Sequence, residues 1–149
     1  MSFDNLEAML AGVPFFEVCT PDQLRLLAFA SERLDIGEGD VLYATGDASD
    51  GAYVLVVGTV EIRDPDLDTG DSGYRVSGPD VLLGEMGLVL EKPRNKTVIA
   101  QTPLSLVHVP RSVFAKLMRQ YPEVAAAAAE RIKREMSGYI KALNRFNRL

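Results

Sequence analysis

Hydrophobic and polar positions change rhythm twice along the chain. Up to Glu32 the apolar residues fall at helical spacing. From Arg33 to Pro110 they come in short runs between turn residues, and after Pro110 the helical spacing returns. The first clear element follows Thr20-Pro21-Asp22-Gln23. Thr20 suits a helix N-cap, Pro21 the first helical position, and Gln23 the third, which completes a capping box. Leu24, Leu27 and Ala28, with Leu26 and Phe29 beside them, carry that helix to about Glu32. Ahead of it, residues 6–10 are expected to form another short helix and Val13-Pro14-Phe15-Phe16 a hydrophobic plug.

The middle of the chain predicts about eight short strands. They lie at 34–36, Val41–Tyr43, 52–57, Thr59–Arg63, 74–76, Val81–Leu83, Thr97–Ala100 and 104–109. Gly37-Glu38-Gly39-Asp40, the glycine- and aspartate-rich stretch 46–51, Gly58 and a polar loop at 64–73 separate them. Short strands at this spacing, with turn residues between, argue for a β-roll or sandwich. Ser105-Leu106-Val107-His108-Val109 has the alternation of a half-buried strand.

Beyond Pro110, Arg111–Gln120 reads as a helix that stops at Tyr121-Pro122, because proline disfavours helix in the residue before it. Pro122 then opens a long helix through the alanine run 125–129 to about Phe146. Within it Ile132, Met136, Tyr139, Leu143 and Phe146 are spaced 4, 3, 4 and 3, a heptad seam of about two repeats. Two readings stay open: packing on its own domain, and pairing of two copies as a homodimer.

Composition narrows the function classes. A chain of 149 residues, 47% hydrophobic and 25% charged, is one domain with a packed core. Folding buries roughly two-thirds of the surface such a chain exposes when unfolded. One histidine (His108) and one cysteine (Cys19) leave no zinc set and no disulfide framework. No apolar run reaches the ~18 residues of a membrane span, and residues 1–5 open no secretion signal. A soluble cytoplasmic protein with no membrane partner is expected. The net charge of −5 argues against broad nucleic-acid affinity, but it is uneven. Residues 130–149 carry net +4 and the rest of the chain −9.

The stretch with the most chemistry is Gly84-Glu85-Met86-Gly87-Leu88-Val89-Leu90-Glu91-Lys92-Pro93-Arg94-Asn95-Lys96-Thr97. A strand ends at Leu83, and Gly84 lets the backbone turn without a Cβ penalty. Residues 85–90 suit a single helical turn, whose unpaired N–H groups favour an anion. Arg94 adds a planar guanidinium fit for phosphate, while Glu85 repels phosphate and suits a sugar hydroxyl. Taken together these read out a phosphorylated ribose. Taken apart, Glu85 and Arg94 make a surface ion pair across a loop.

Gly84-Glu85-Met86-Gly87-Leu88, followed by Pro93-Arg94-x-x-Thr97, resembles the phosphate-binding cassette of cyclic nucleotide-binding domains. That family includes the catabolite activator protein and the regulatory subunits of cyclic-AMP-dependent kinase. Residues 46–60, from Gly46-Asp47 through Gly58-Thr59-Val60, are similar to its strand–turn–strand signature. Val13-Pro14-Phe15-Phe16 and the helix after Thr20 resemble its N-terminal lead-in. The resemblance covers nearly the whole chain. It implies an α+β domain over 1–149: short N-terminal helices (1–32), a double-stranded β-helix or jelly-roll-like β-roll (33–110), and C-terminal helices (111–149).

The resemblance also implies roles. Arg94 would bind the cyclic phosphate and Glu85 the ribose 2′-hydroxyl. The amides of Met86 and Gly87 would cap the phosphate and ribose edge, the amide of Lys96 would lie beside the phosphate, and Thr97 would face the base. Val76, Leu83 and Val98 would form pocket walls. The long C-terminal helix resembles the element that closes over the base and, in the activator branch, pairs two subunits. Two positions depart from the family. Lys96 stands where a small residue is usual, and Asn95 where Ala, Ser or Thr is usual. Lys96 is accommodated if it points outward; otherwise it adds charge beside the anion or obstructs the pocket. Asn95 lacks a hydroxyl but can bond a purine edge, so the resemblance implies cyclic AMP or cyclic GMP as ligand, with cyclic AMP favoured.

Other signals carry less. Asp64-Pro65-Asp66-Leu67-Asp68 has Thr69 where a calcium loop needs Gly and Arg75 where it needs Glu, so it reads as a solvated hairpin tip. His108 has no evident partner, and the basic C-terminal helix reads as a solvated face. The activator branch binds DNA through a separate region after its long helix, and this chain stops at Leu149, so no DNA partner is expected. No metal site and no nucleophile–base pair is expected, so the chain is not read as an enzyme. Two function classes remain. One is a stand-alone regulatory sensor that binds cyclic nucleotide and signals to a partner protein by moving its C-terminal helix. The other is a ligand-free interaction or dimerisation module with a degenerate pocket.

Overall fold

A computed structural model describes residues 3–65 and 73–147, with side chains for 5–65 and 73–134. Helix α1 (Phe3–Ala11) and a 3-10 turn (Pro14–Val18) lead into α2 (Pro21–Ala30). The capping box at Thr20 is complete. The Gln23 amide donates to the Thr20 hydroxyl at 3.3 Å, and the Thr20 amide donates to the Gln23 side chain at 2.9 Å. α2 stops two residues short of Glu32, because Ser31 turns its hydroxyl back onto the Leu27 carbonyl at 2.7 Å and Glu32 pairs with His108 in a sheet. The plug forms as expected: Val13, Phe15 and Phe16 are buried, with Phe15 and Phe16 packed against each other and against Phe114.

Eight strands follow: β1 (Glu32–Ile36), β2 (Val41–Tyr43), β3 (Gly51–Val57), β4 (Thr59–Arg63), β5 (Tyr74–Ser77), β6 (Val81–Leu83), β7 (Thr97–Ala100) and β8 (Leu104–Pro110). They form two antiparallel four-stranded sheets, ordered β1-β8-β3-β6 and β2-β7-β4-β5. Apart from the β4–β5 hairpin, every connection crosses from one sheet to the other, which winds the chain into the expected jelly-roll-like roll of an α+β domain. The β6–β7 connection, residues 84–96, is one of these crossovers.

Two hydrophobic cores result. One lies between the sheets, around Leu55, Val60, Leu83, Val98 and Leu106. The other lies between the helices and the outer face of the β3/β8 sheet, around Phe16, Leu27, Val54, Leu88, Val107 and Phe114. Helices α3 (Arg111–Gln120) and α4 (Pro122–Asn147) close that second core. Val124, Ala128 and Ile132, four residues apart, pack the first half of α4 onto its own domain. Of the heptad seam only Ile132 has a described side chain; Met136, Tyr139, Leu143 and Phe146 lie outside the described side chains, as do residues 66–72 of the hairpin tip. Among the described residues no helix is long and apolar enough to cross a membrane, and no group of three or more His, Cys, Asp or Glu side chains is placed to hold a metal.

Candidate functional site

The β6–β7 crossover, together with residues of β2 and β4–β7, lines a cleft of about 440 Å³. Its first residue, Gly84, has φ 73°, in the left-handed region, and a Cβ there would run into the Arg94 Nη1. The turn then closes as one 3-10 unit, Glu85–Leu88, shorter than the six residues expected; the Gly87 amide donates to the Gly84 carbonyl at 2.9 Å. Gly87 sits against the Gly51 carbonyl, where a Cβ would collide. Leu88, fully buried, pins the turn into the helical core.

Arg94 is the centre of the cleft and is only 7% exposed. Its backbone is clamped on both sides: its amide donates to the Asp47 carbonyl at 2.8 Å and its carbonyl accepts from the Gly46 amide at 2.7 Å. Its Nη2 donates to the Gly51 carbonyl at 2.8 Å, and Nη1 approaches the Gly84 carbonyl at 3.5 Å. The guanidinium lies over the Tyr43 ring, 4.3 Å from its centroid. Its Nε is buried without a partner, and among the described residues no carboxylate pairs with it. Arg94 is buried, so it does not form half of a surface pair, the alternative read from the sequence for it and Glu85. A buried cation that lacks a counter-charge is costly, and its remaining donors fit an anion held against the turn.

The electrostatics around it are consistent. Burial pushes the Tyr43 phenol up to about 12, against the opposing pull of the Arg94 charge. Burial, and then the Asp50 carboxylate, also raise Tyr53. Tyr43 thus stays neutral and offers Arg94 its ring face.

Of the residues singled out in the sequence, Gly84, Glu85, Met86, Gly87, Arg94, Asn95 and Lys96 all line this cleft, as do Val76, Leu83 and Val98. Lys96 is half-buried, and its ammonium lies 4.0 Å from the buried carboxylate of Asp64. Asn95 is exposed at the rim. Thr97 lies apart. Its hydroxyl accepts from the Thr45 amide at 3.0 Å and meets the Thr45 hydroxyl at 3.1 Å, while its neighbour Val98 turns inward.

Four residues that the sequence reading did not assign to the site support it: Tyr43 and Gly51, which hold Arg94, and Ser49 and Arg111, which hold the crossover. Tyr43 reads locally as the end of a core strand, and Gly51 as one more turn glycine. Only Arg111 carried a signal, as a cation in the first turn of a helix, where the dipole disfavours it.

This combination defines the class: a β-roll domain whose cleft joins apolar strand walls to a buried arginine in one sheet crossover. Residues 33–121 match the cyclic nucleotide-binding domain family model, and the chain belongs to that family. A cyclic nucleotide-binding-like protein from Brucella abortus is 36% identical, covering 78% of this chain and 99% of that one with a TM-score of 0.62. The catabolite activator protein of Thermus thermophilus shares the fold at TM-score 0.71 and 24% identity, over 90% of this chain and 63% of that one. The cAMP-dependent protein kinase regulatory subunit of Blastocladiella emersonii is 27% identical over 112 residues, 75% of this chain and 28% of the subunit. Across eight curated relatives the chain spans between 7% and 59% of their length.

Proposed function

We propose that the chain is a regulatory module that binds a cyclic nucleotide in this cleft, cyclic AMP in preference to cyclic GMP. The observation that carries the reading is Arg94: a guanidinium 7% exposed, stacked on Tyr43 and held by carbonyls, with no carboxylate partner among the described residues. Buried cations are ordinarily paired, and a cyclic phosphate supplies the missing charge. Glu85, on the cleft wall beside it, takes the ribose 2′-hydroxyl as an acceptor. Because the Gly87 amide already bonds the Gly84 carbonyl, the amide role at the phosphate falls mainly to Met86. The apolar walls from Val76, Leu83 and Val98 receive the base, and Asn95 at the rim meets its edge. The pairing of Lys96 with Asp64 draws its ammonium to the wall, which leaves the phosphate end to Arg94.

The nucleotide is bound and released unchanged, and the output is a shift of α3 and α4 toward a partner protein, in the cytoplasm. The second half of α4 provides the docking or homodimer surface. A ligand shifts such an equilibrium only by its differential affinity for the two helix positions. The Brucella likeness and the kinase-subunit likeness both support a nucleotide as ligand.

Calorimetric titration of cyclic AMP and cyclic GMP into the wild type and Arg94→Leu tests this. Each charge-assisted hydrogen bond is worth about 1.5–3 kcal/mol, so losing two weakens binding at least about a hundredfold. Equal binding by both proteins would remove Arg94 from the site. No heat with either nucleotide would instead favour a ligand-free interaction module.

A further inference from the structure

Arg111 is the first residue of α3, and its charge is wrong for that place. A helix N-terminus carries partial positive charge, and the first turn of α3 has no acidic residue to offset a cation. The side chain is directed instead at the cassette. Arg111 Nη1 donates to the carbonyls of Gly87 and Leu90, each at 3.2 Å, and to the Ser49 hydroxyl at 3.3 Å. An Nη carries two protons, so these three acceptors share them. Gly87 lies in the 3-10 turn and Leu90 just past its end, where carbonyls without helical partners accept from a cation.

The same residue is tied to the strand that holds Arg94. The Arg111 amide donates to the Asp50 carbonyl at 2.6 Å, and the Ser49 hydroxyl donates to the Lys92 carbonyl at 2.8 Å. The next carbonyl along, that of Gly51, accepts from Arg94. Three consecutive residues, Ser49, Asp50 and Gly51, thus receive both arginines. One stands in the cleft, and the other opens the helices.

From this we infer that Arg111 is the positioning residue that couples the cassette to α3 and α4. For the identity of the ligand it rests on the nucleotide reading above. A displacement of the turn or of Arg94 on binding reaches Arg111 from both sides through bonded atoms. It then passes into α3, which joins α4 across Tyr121 alone. Lysine in its place keeps the charge but replaces a planar fork by a single ammonium.

The test combines calorimetric affinity for cyclic AMP with backbone hydrogen exchange over residues 111–134, with and without saturating nucleotide. The proteins are the wild type, Arg111→Gln and Arg111→Lys, each with its thermal midpoint measured without ligand. In the wild type, nucleotide changes exchange in α3 and α4. In Arg111→Gln binding weakens by about fivefold or more, the lower range of typical coupling factors. At saturation its helices no longer respond, and Arg111→Lys regains part of the response. A merely structural role would lower the midpoint yet leave the saturated response whole. A full response in Arg111→Gln, or in Arg111→Lys if the first variant does not fold, overturns the coupling. A wild type that binds nucleotide without any change in α3 and α4 overturns it too, and leaves the reading of the cleft intact. A wild type that binds neither cyclic AMP nor cyclic GMP overturns both.

Discussion

The two sheets of the roll are covered differently. In β1-β8-β3-β6 the central strands are buried on both faces: Ala52, Val54, Val107 and Val109 meet the helices, while Leu55, Leu104 and Leu106 meet the other sheet. Both strands accordingly read as near-continuous apolar runs. In β2-β7-β4-β5 one face is covered. Tyr43, Val60, Ile62, Val98 and Ala100 point inward, whereas Val41 is 53% exposed. The β6–β7 crossover leaves the doubly covered sheet and enters the singly covered one. Leu83 before it is buried between the sheets, and Leu88 within it is buried under the helices. Arg94 draws on both sheets, the Gly51 carbonyl from one and the Tyr43 ring from the other. This site is anchored in two cores because it stands where the chain passes from one to the other.

The largest effect on stability is expected in the helical core. Phe114, fully buried against Phe15 and Phe16, should cost about 3–5 kcal/mol as Phe114→Ala in urea unfolding. A cost near zero would show that the helices add little to the roll. The contrast between the sheets is next. Val54→Ala, on the doubly covered sheet at 1% exposure, should cost about 1.5–3 kcal/mol. Val41→Ala, on the open face of the other sheet, should stay within about 0.5 kcal/mol of the wild type. Equal costs for the two would erase the distinction between the sheets.

The smallest effect near neutrality concerns pH, with one group in each core. Burial pushes the thiol of Cys19, half-buried against the helical core, from 9.0 up to about 11, and the Tyr43 phenol between the sheets from 10.0 up to about 12. In both cases the folded state keeps its proton longer than the unfolded chain. The stabilisation is therefore complete below pH 9 for Cys19 and below pH 10 for Tyr43, and is lost as pH rises through 11 and 12 respectively. Urea midpoints between pH 9 and 12 should fall, the early part of the fall vanishing in Cys19→Ala and the late part in Tyr43→Phe. A flat profile in the wild type would contradict the burial of both groups.

Much of this fold was legible locally. Val41–Tyr43, Thr59–Arg63, Val81–Leu83, Thr97–Ala100 and Arg111–Gln120 have the bounds expected from their turn residues and prolines. The remaining ends moved where a tertiary partner decided them: Glu32 left α2 to pair with His108, and Pro110 stayed in β8 to pair with Gly51. The glycine-led turn and Arg94 were visible as a contiguous string. What holds them was not, since Tyr43, Gly51 and Arg111 meet Arg94 and the turn only after the roll closes. Thr97 shows the reverse case. The period of its own strand, with Val98 and Ala100 inward, already turned its side chain away from the interior.

The central claim is that Arg94 serves a ligand rather than the fold. The most direct measurement is the thermal midpoint of the wild type and Arg94→Leu, each with and without millimolar cyclic AMP. Replacing a buried cation that has no carboxylate partner among the described residues by an apolar side chain should leave the midpoint without nucleotide unchanged or higher. Nucleotide should then raise the wild type alone, because a ligand stabilises only the state that binds it. A Leu variant that nucleotide raises as much as the wild type, or one that loses its fold without ligand, would contradict the claim.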